Sequence, residues 1–294
     1  MAERHLFIFG LGYSALAFAR RAASRFATIA GTVRSAEKAA QLRRQGIDAL
    51  LFEQDGAEIE AALARTSDLV QSIAPDAGGD PALERYRDAV RAAPALAWIG
   101  YLSTVGVYGD QGGGWVDEDG PVNAVSDRAR RRVLAEADWA ALGAERGVPV
   151  AILRLAGIYG PGRNPFVNLA GGTARRIVKP GQVFNRIHVD DSAAVLEAAA
   201  DRRAGGIFNV ADDEPAPPQD VVAFAAALAG YPPLPDVPFE TAALSPMARS
   251  FYADNKRVAN RRLARDLGVR LAYPTYREAL TALWRDGSWR EEGG

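Results

Sequence analysis

The sequence of 294 residues contains no cysteine and only two histidines. Without cysteine the chain has no disulfide, no thiol nucleophile and no thiolate ligand for zinc or iron–sulfur clusters. His5 and His188 lie far apart in the sequence, and neither is accompanied by carboxylates at ligand spacing. Thiol chemistry is therefore excluded, and we expect no metal site.

Excess charge and long apolar runs are also missing. The chain carries 35 basic and 36 acidic residues, a net charge of −1, which argues against a nucleic acid or an anionic membrane as the main partner. The apolar run 6–9 is too short for a signal peptide. Pro94 and Gly100 interrupt the uncharged stretch 92–109, which fits a buried strand and loop better than a membrane span. We expect a cytoplasmic protein that binds neither membranes nor nucleic acid.

Short apolar runs alternate with helical patterns over the first 155 residues. The runs are apolar almost throughout, as buried parallel strands are. The predicted strands are His5–Phe9, Thr28–Val33, Asp48–Phe52, Asp68–Ile73, Ala95–Leu102 and Val148–Leu155. The predicted helices between them are Ser14–Arg25, Ala36–Gln45, Ala57–Arg65, Pro81–Ala93 and Ser126–Arg146. This alternation predicts an α/β fold, a doubly wound Rossmann sheet of parallel strands.

After residue 155 the alternation of strands and helices becomes less regular, and the second part of the chain looks like a smaller unit. The later elements are predicted as helices Val189–Ala200, Gln219–Ala229, Asp254–Leu267 and Thr275–Trp284 and a strand Gly206–Val210. We expect a Rossmann dinucleotide-binding domain at 1–155, to which 186–212 return. A smaller, irregular substrate-side domain is expected from 156–185 and 213–294.

A glycine turn follows the first predicted strand. Gly10, Gly12 and Ala15 form the pattern G-x-G-x-x-A between a strand and a helix. The first glycine permits a tight turn, the second lets a pyrophosphate approach the backbone, and the small third residue lets helix and strand pack closely. Free N–H groups at the helix start then face the phosphates, so Tyr13 and Ser14 are also candidate cofactor-binding residues. The alternative is a tight turn without a ligand.

The end of the second predicted strand bears on the choice of cofactor. NAD-binding proteins usually place Asp or Glu there, whereas an arginine suits the 2′-phosphate of NADP. This sequence has Arg34 at that point and no acidic residue before Glu37. Because an arginine can bind a phosphate in a bidentate manner, we favour NADP, with NAD possible. The alternative is a solvated surface arginine.

Four further motifs follow in order along the chain. They are Leu102–Gly109 (LSTVGVYG), Arg154–Gly162 (RLAGIYGPG), Arg186–Asp191 (RIHVDD) and Phe208–Pro215 (FNVADDEP). With the glycine turn, they resemble the extended short-chain dehydrogenase/reductase superfamily, also called the NAD-dependent epimerase/dehydratase family, over most of the chain. Ser72–Pro75 (SIAP), Asp80-Pro81 and Asn255–Asn260 (NKRVAN) are most similar to its atypical, YeeZ-like group.

The resemblance implies a site with one departure. It places the substrate-polarising hydroxyl at Thr104, with Ser103 beside it, and assigns Ser72, Ile73 and Ala74 to the cofactor. The family's Tyr-x-x-x-Lys pair, in which Tyr transfers a proton and Lys holds the ribose, falls on Arg128 and Arg132. Arginine keeps its proton at all working pH values, so Arg128 cannot transfer one, whereas Arg132 can still donate to ribose hydroxyls. A solvated helix face is the alternative for both.

The resemblance also leaves other roles open. Tyr108 is a candidate substitute proton donor, and local packing is its alternative. For His188 a structural role beside the cleft is favoured over titration. Candidate substrate-wall residues are Gly157, Arg163, Asn164, Lys179 and Arg186.

The resemblance predicts an NADP-dependent oxidoreductase or epimerase/dehydratase-like enzyme. Its substrate would be a small carbonyl, hydroxyl or sugar-nucleotide compound. Because the proton-transferring tyrosine is missing, the alternative is a non-catalytic NADP(H)-binding sensor or scaffold. We expect a monomer or a homodimer that, as in the family, pairs through helices 81–93 and 126–146.

Overall fold

The computed structural model describes residues 3–290, and its strands form one large sheet and three short pairs. The strands are β1 (His5–Phe9), β2 (Thr28–Val33), β3 (Asp48–Leu51), β4 (Asp68–Gln71), β5 (Trp98–Thr104), β6 (Trp115–Val116), β7 (Val150–Leu155), β8 (Gly157–Tyr159), β9 (Arg176–Val178), β10 (Arg186–His188), β11 (Gly206–Val210), β12 (Asp236–Pro238) and β13 (Arg257–Val258). The large sheet has the order β11-β7-β5-β4-β1-β2-β3. Its six neighbouring pairs are all parallel.

The helices connect these strands and cover both faces of the sheet. They are α1 (Tyr13–Arg21), α2 (Ala36–Arg44), α3 (Gly56–Arg65), α4 (Pro81–Ala92), α5 (Asp127–Arg146), α6 (Pro165–Ala170), α7 (Val189–Arg202), α8 (Pro218–Leu228), α9 (Pro246–Phe251), α10 (Arg261–Leu267) and α11 (Tyr276–Asp286). Side chains of α1, α2 and α7 pack on one face, and those of α3, α4 and α5 on the other. A third apolar cluster, outside the sheet, joins α6, α8 and α11.

Local sequence explains where several helices begin and end. Asp80 caps α4 by accepting from the N–H groups of Ala82 and Leu83, and Pro81 occupies the first helical position. Ser126 caps α5, and Gly147 ends it in the left-handed conformation. By contrast, α1 begins at Gly12 without a side-chain cap and without an acidic residue in its first turn.

The strand order reverses at β1. From β1, the chain builds outward through β2 and β3 on one side and through β4, β5, β7 and β11 on the other. In open α/β sheets, ligands bind in the crevice at the carboxyl ends of the strands where the order reverses. Here that crevice lies between the residues that follow β1 and those that follow β4.

The predicted fold class is confirmed, because the sheet is parallel, seven-stranded and covered by helices on both faces. The fifth predicted strand is shifted, since it begins at Trp98 and runs through Thr104. The helix predicted at 254–267 is wrong in its first half. Residues 257–258 pair with β6 as a strand, with Val258 buried, and the helix begins at Arg261.

The elements that sequence patterns missed are the short ones. β6, β8, β9, β10 and β12 have two or three residues each, and α6 and α9 have six. Such segments contain too few residues to show a period of 2 or 3.6. Nothing tests the predicted domain boundaries directly, and they stay a prediction. Within residues 3–290, no helix combines the length and apolar character needed to cross a bilayer.

Candidate functional site

The glycine turn closes tightly against the end of β4. Gly10 has φ of +85°, which favours glycine, and a Cβ atom built there would lie 2.8 Å from Cγ1 of Ile73. The Gly10 N–H donates to Oγ1 of Thr32 at 2.9 Å, and the Leu11 N–H donates to the Thr32 carbonyl at 2.8 Å. The turn is therefore hydrogen-bonded to β2 and lies close against Ile73, just after β4, at the point where the strand order reverses.

The space above this turn is open. A Cβ built on Gly12 meets no atom within 4 Å. The first N–H groups of α1, from Tyr13, Ser14 and Ala15, precede the first bond of the helix ladder, which runs from Leu16 N–H to the Gly12 carbonyl. With no capping side chain, these donors and the positive end of the helix dipole are available to an anion. The residues present thus fit the pyrophosphate of a dinucleotide.

The end of β4 forms the other wall of the crevice. The Ser72 N–H donates to the Phe9 carbonyl, and the Ile73 N–H to Oε1 of Gln71. Gln71 is buried and donates in turn to Asp80 at 2.6 Å. Ser72 and Ile73 are half-buried and Ala74 is exposed. The three predicted residues thus border the crevice, on a segment that hydrogen bonds to Phe9 and Gln71 hold in place.

Arg34 directly follows β2 and is exposed. Among residues 3–290, no carboxylate pairs with it, whereas Ser35 beside it caps α2 by accepting from Lys38 N–H. The position expected to distinguish NADP from NAD therefore carries a cation without a protein counter-ion.

Ser103 faces the protein interior. Its hydroxyl donates to Oε1 of Glu136 on α5, and Arg154 of β7 donates to both oxygens of that carboxylate, at 3.2 and 2.7 Å. All three side chains are less than 10% exposed. Sequence reasoning missed this pair, although a charged residue in the otherwise apolar strand β7 signals a buried partner.

Tyr108 continues the same buried network. The Arg154 guanidinium lies 4.8 Å from the centre of its ring, and its hydroxyl donates to Oδ1 of Asn209 at 2.7 Å. Burial raises the pKa of Tyr108 above its usual value. This geometry favours the packing alternative over proton donation. We call Ser103, Tyr108, Glu136, Arg154 and Asn209 the buried polar network.

Thr104 has a different environment from its neighbour. It is only partly buried, and its Oγ1 accepts from the Gly106 N–H at 3.1 Å. The hydroxyl proton is then free to donate to another oxygen. Thr104 is the last residue of β5, at the carboxyl edge of the sheet where the crevice lies.

The two arginines predicted to occupy the family's Tyr and Lys positions lie one turn apart on α5. Arg132 donates to the Leu102 carbonyl at 2.8 Å and to the hydroxyl of Tyr101 at 3.1 Å. Arg128 is exposed, and its guanidinium lies 4.7 Å from the centre of the Phe251 ring on α9. Burial raises the pKa of Tyr101 to about 12, so its hydroxyl stays protonated.

Three of the predicted substrate-wall residues make hydrogen bonds within the protein. Asn164 is buried and caps α6, and Lys179 donates to the Tyr252 carbonyl. Arg186 donates to the Phe184 and Ala216 carbonyls.

The other two wall residues are exposed. The Gly157 N–H donates to the Asn185 carbonyl at 3.0 Å. Arg163 lies beside Tyr13 at the start of α1.

Three buried polar atoms near β8 and β10 have no protein partner within the described residues. They are the Tyr159 hydroxyl, Nε2 of His188 and Oδ2 of Asp212. Burial lowers the pKa of His188, so the ring stays neutral at pH 7. Its Nδ1 accepts from the Asp190 N–H at 3.3 Å, and its ring packs against Tyr159 and Tyr273. These contacts agree with the structural role favoured for His188.

Comparison with known proteins gives a consistent family. Residues 87–211 match the model of the NAD dependent epimerase/dehydratase family. Protein YeeZ of Escherichia coli (strain K12) is 30% identical over 69% of this chain and 76% of its own length. A 3-diazoavenalumate denitrifying reductase from Streptomyces sp is 31% identical over 62% of this chain, which spans 60% of that protein.

A solved structure resembles the whole chain. A conserved protein of unknown function from Silicibacter pomeroyi is 47% identical, with a TM-score of 0.88. The alignment covers 97% of this chain and 99% of that one. The fold described above is therefore shared over nearly the full length of a relative of solved structure.

Proposed function

Because the chain belongs to the NAD dependent epimerase/dehydratase family, we propose that it is an NADP(H)-dependent oxidoreductase acting on a small carbonyl or hydroxyl compound. The observation that carries the proposal is the open start of α1, where Gly12 leaves space and three N–H groups have no capping side chain. The reductase name of the Streptomyces relative supports the reaction class.

The cofactor would lie across the crevice at which the strand order reverses. The first turn of α1 would hold its pyrophosphate, and Ser72–Ala74 would border it on the other side. When bound, a nicotinamide cofactor supplies or accepts a hydride. We assign the ribose hydroxyls to Arg132, which the family resemblance places at the Lys position, since its guanidinium has donors beyond those used on Leu102 and Tyr101.

Thr104 would orient the substrate. Because the Thr104 oxygen accepts from the Gly106 N–H, its hydroxyl can donate a hydrogen bond to a substrate carbonyl oxygen. As that carbonyl gains a hydride at carbon, its oxygen requires a proton. Arg128 cannot supply the proton and Tyr108 is committed to Asn209, so we assign the proton to water that reaches the partly exposed Thr104.

The test of cofactor choice is a binding measurement with NADPH and NADH. With NADPH present at about 100 times its Kd, the wild-type protein should gain ~2.7 kcal/mol of stability. This corresponds to an increase in melting temperature on the order of 5–10 °C. Arg34→Gln should weaken NADPH binding at least about tenfold, because a charged hydrogen bond to phosphate is lost, and leave NADH binding unchanged. Arg44→Gln is the control, since Arg44 is also exposed but lies at the far end of α2. Equal binding of NADPH and NADH by wild type would contradict the preference, and binding of neither would contradict the function.

A second candidate is a non-catalytic NADP(H)-binding sensor. It is favoured by the buried polar network, in which the hydroxyls of Ser103 and Tyr108 donate to side chains inside the protein. Thr104→Val separates the two functions, because valine keeps the shape and removes the hydroxyl. The oxidoreductase predicts loss of turnover of at least about tenfold with unchanged NADPH affinity. The sensor predicts no turnover in wild type across a panel of carbonyl compounds and sugar nucleotides.

A further inference from the structure

A tight turn after β8 lies against the start of α1. Gly160 and Arg163 exchange backbone hydrogen bonds, each at 3.0 Å, and thus close the turn 160–163. Buried Asn164 fixes it from below, since its side-chain amide donates to the carbonyls of Gly160 and Trp289, both at 2.8 Å. The turn is therefore held by the carboxyl-terminal part of the chain.

Tyr13, the first residue of α1, connects this turn to the glycine turn. Its hydroxyl donates to the Pro161 carbonyl at 2.9 Å, and burial raises its pKa to about 12, so it remains a donor at neutral pH. A Cβ atom on Gly160 would lie 2.7 Å from that hydroxyl and 2.7 Å from Cγ1 of Val189. Only glycine permits the approach.

This arrangement brings Arg163 to the anion-binding end of α1. Its guanidinium lies 5.7 Å from the centre of the Tyr13 ring. The side chain is exposed, and no carboxylate within residues 3–290 forms an ion pair with it. Sequence reasoning assigned Arg163 to the substrate wall, but in the structure it lies beside Tyr13, which directly follows the glycine turn and is 150 residues earlier in the chain.

We propose that Arg163 is a cofactor-binding residue whose guanidinium holds the pyrophosphate from the side opposite the N–H groups of α1. The inference rests on the proposed function, because it requires a dinucleotide in the crevice. A pyrophosphate carries two negative charges, whereas a helix N-terminus supplies about half a positive charge. Arg163 contributes a full charge and a bidentate donor pair. Cofactor binding would then join the Rossmann sheet to the turn 160–163.

The test uses three ligands that differ in their phosphates. NADPH contains both the pyrophosphate and the 2′-phosphate, ADP-ribose contains only the pyrophosphate, and adenosine 2′-monophosphate contains only the 2′-phosphate. Calorimetric titration of Arg163→Gln should show affinities for NADPH and ADP-ribose lowered about tenfold to hundredfold, with adenosine 2′-monophosphate unaffected. Arg34→Gln should give the reverse selectivity, with ADP-ribose unaffected. Arg175→Gln, which changes an exposed arginine just before β9, should change the affinity for none of the three ligands.

Arg163→Lys should recover part of the affinity, since it keeps the charge but not the bidentate geometry. Unchanged ADP-ribose binding by Arg163→Gln, while wild type binds NADPH, would overturn this inference and leave the proposed function intact. An equal loss for adenosine 2′-monophosphate would also overturn it, because the effect would not depend on the pyrophosphate. Failure of wild type to bind NADPH, NADH and ADP-ribose would overturn both proposals.

Discussion

The start of α1 and the region between β5 and α5 both lie at the carboxyl edge of the same sheet, but their polar groups differ in what they bind. At α1 the N–H donors have no capping side chain, and the space above Gly12 is open. In the buried polar network, the hydroxyls of Ser103 and Tyr108 donate to side chains inside the protein.

This difference suits the start of α1 to binding a cofactor, whereas the buried hydroxyls are not positioned to react with a substrate. Unsatisfied donors at a helix start are what an anionic ligand requires, so the glycine turn retains its binding capacity. The buried hydroxyls of Ser103 and Tyr108 are already hydrogen-bonded inside the protein and contribute to stability instead, because breaking these bonds would leave buried polar groups unpaired. The contrast explains why Thr104, outside the network, is a better candidate for substrate contact than Ser103 or Tyr108.

The largest expected effect is on stability, from Glu136→Gln. The variant removes the charge that compensates Arg154, and both side chains are buried. Breaking a buried ion pair by removing one partner costs about 3–5 kcal/mol, which urea unfolding should show as a lowered midpoint. The matched control is Asp88→Asn, which breaks the exposed pair with Arg91 on α4 and should cost less than about 1 kcal/mol. Equal losses for the two variants would mean that the network is not a distinct stabilising element.

The next effect compares the two glycines of the turn. Gly10→Ala forces a side chain into the left-handed region and against Ile73, so we expect a stability loss of about 1–3 kcal/mol together with loss of NADPH binding. Gly12→Ala has ordinary φ of −90° and open space, so the fold should keep its stability. Its methyl group would occupy the phosphate space and lower NADPH affinity at least about tenfold. Tight NADPH binding by Gly12→Ala would contradict the assigned cofactor position.

Local chemistry made part of this site predictable from the sequence. The glycine turn is predictable because Gly10 and Gly12 lie directly between a strand and a helix in the sequence. The cap of α4 by Asp80 likewise involves only residues that are neighbours in the chain. The fold class followed from six apolar runs alternating with helical patterns. Each of these features depends on residues within about one element, where steric rules and periodicity operate.

The remaining features depend on contacts between distant residues. Ser103 and Glu136 are 33 residues apart, and Tyr108 and Asn209 are 101 apart. No local pattern predicts that Ser103 is buried against Glu136 while Thr104 is only partly buried, because that follows from the register of β5 and the packing of α5. The meeting of Tyr13 and Pro161, 148 residues apart, likewise requires the tertiary fold.

The last prediction concerns a buried carboxylate outside the buried polar network, directly after β11. Oδ1 of Asp212 accepts from the Glu214 N–H at 3.3 Å, but Oδ2 has no partner within residues 3–290. Burial raises the pKa of Asp212 to about 8, although the nearby Arg186 acts to lower it and Asp213 and Glu214 to raise it. The ordinary value in an unfolded chain is about 3.9.

Between these two pKa values the folded state binds more protons than the unfolded state, so the free energy of unfolding falls as pH rises from about 4 to about 8. Asp212→Asn removes this contribution, because an amide does not titrate. The melting temperature of the variant relative to wild type should therefore increase by several degrees between pH 5 and pH 8.5, because each unit of pKa difference corresponds to about 1.4 kcal/mol. Asp138→Asn, on the exposed side of α5, should show no such trend. A constant difference between Asp212→Asn and wild type over this range would mean that Asp212 is ionised throughout, and that solvent or a ligand hydrogen-bonds to Oδ2.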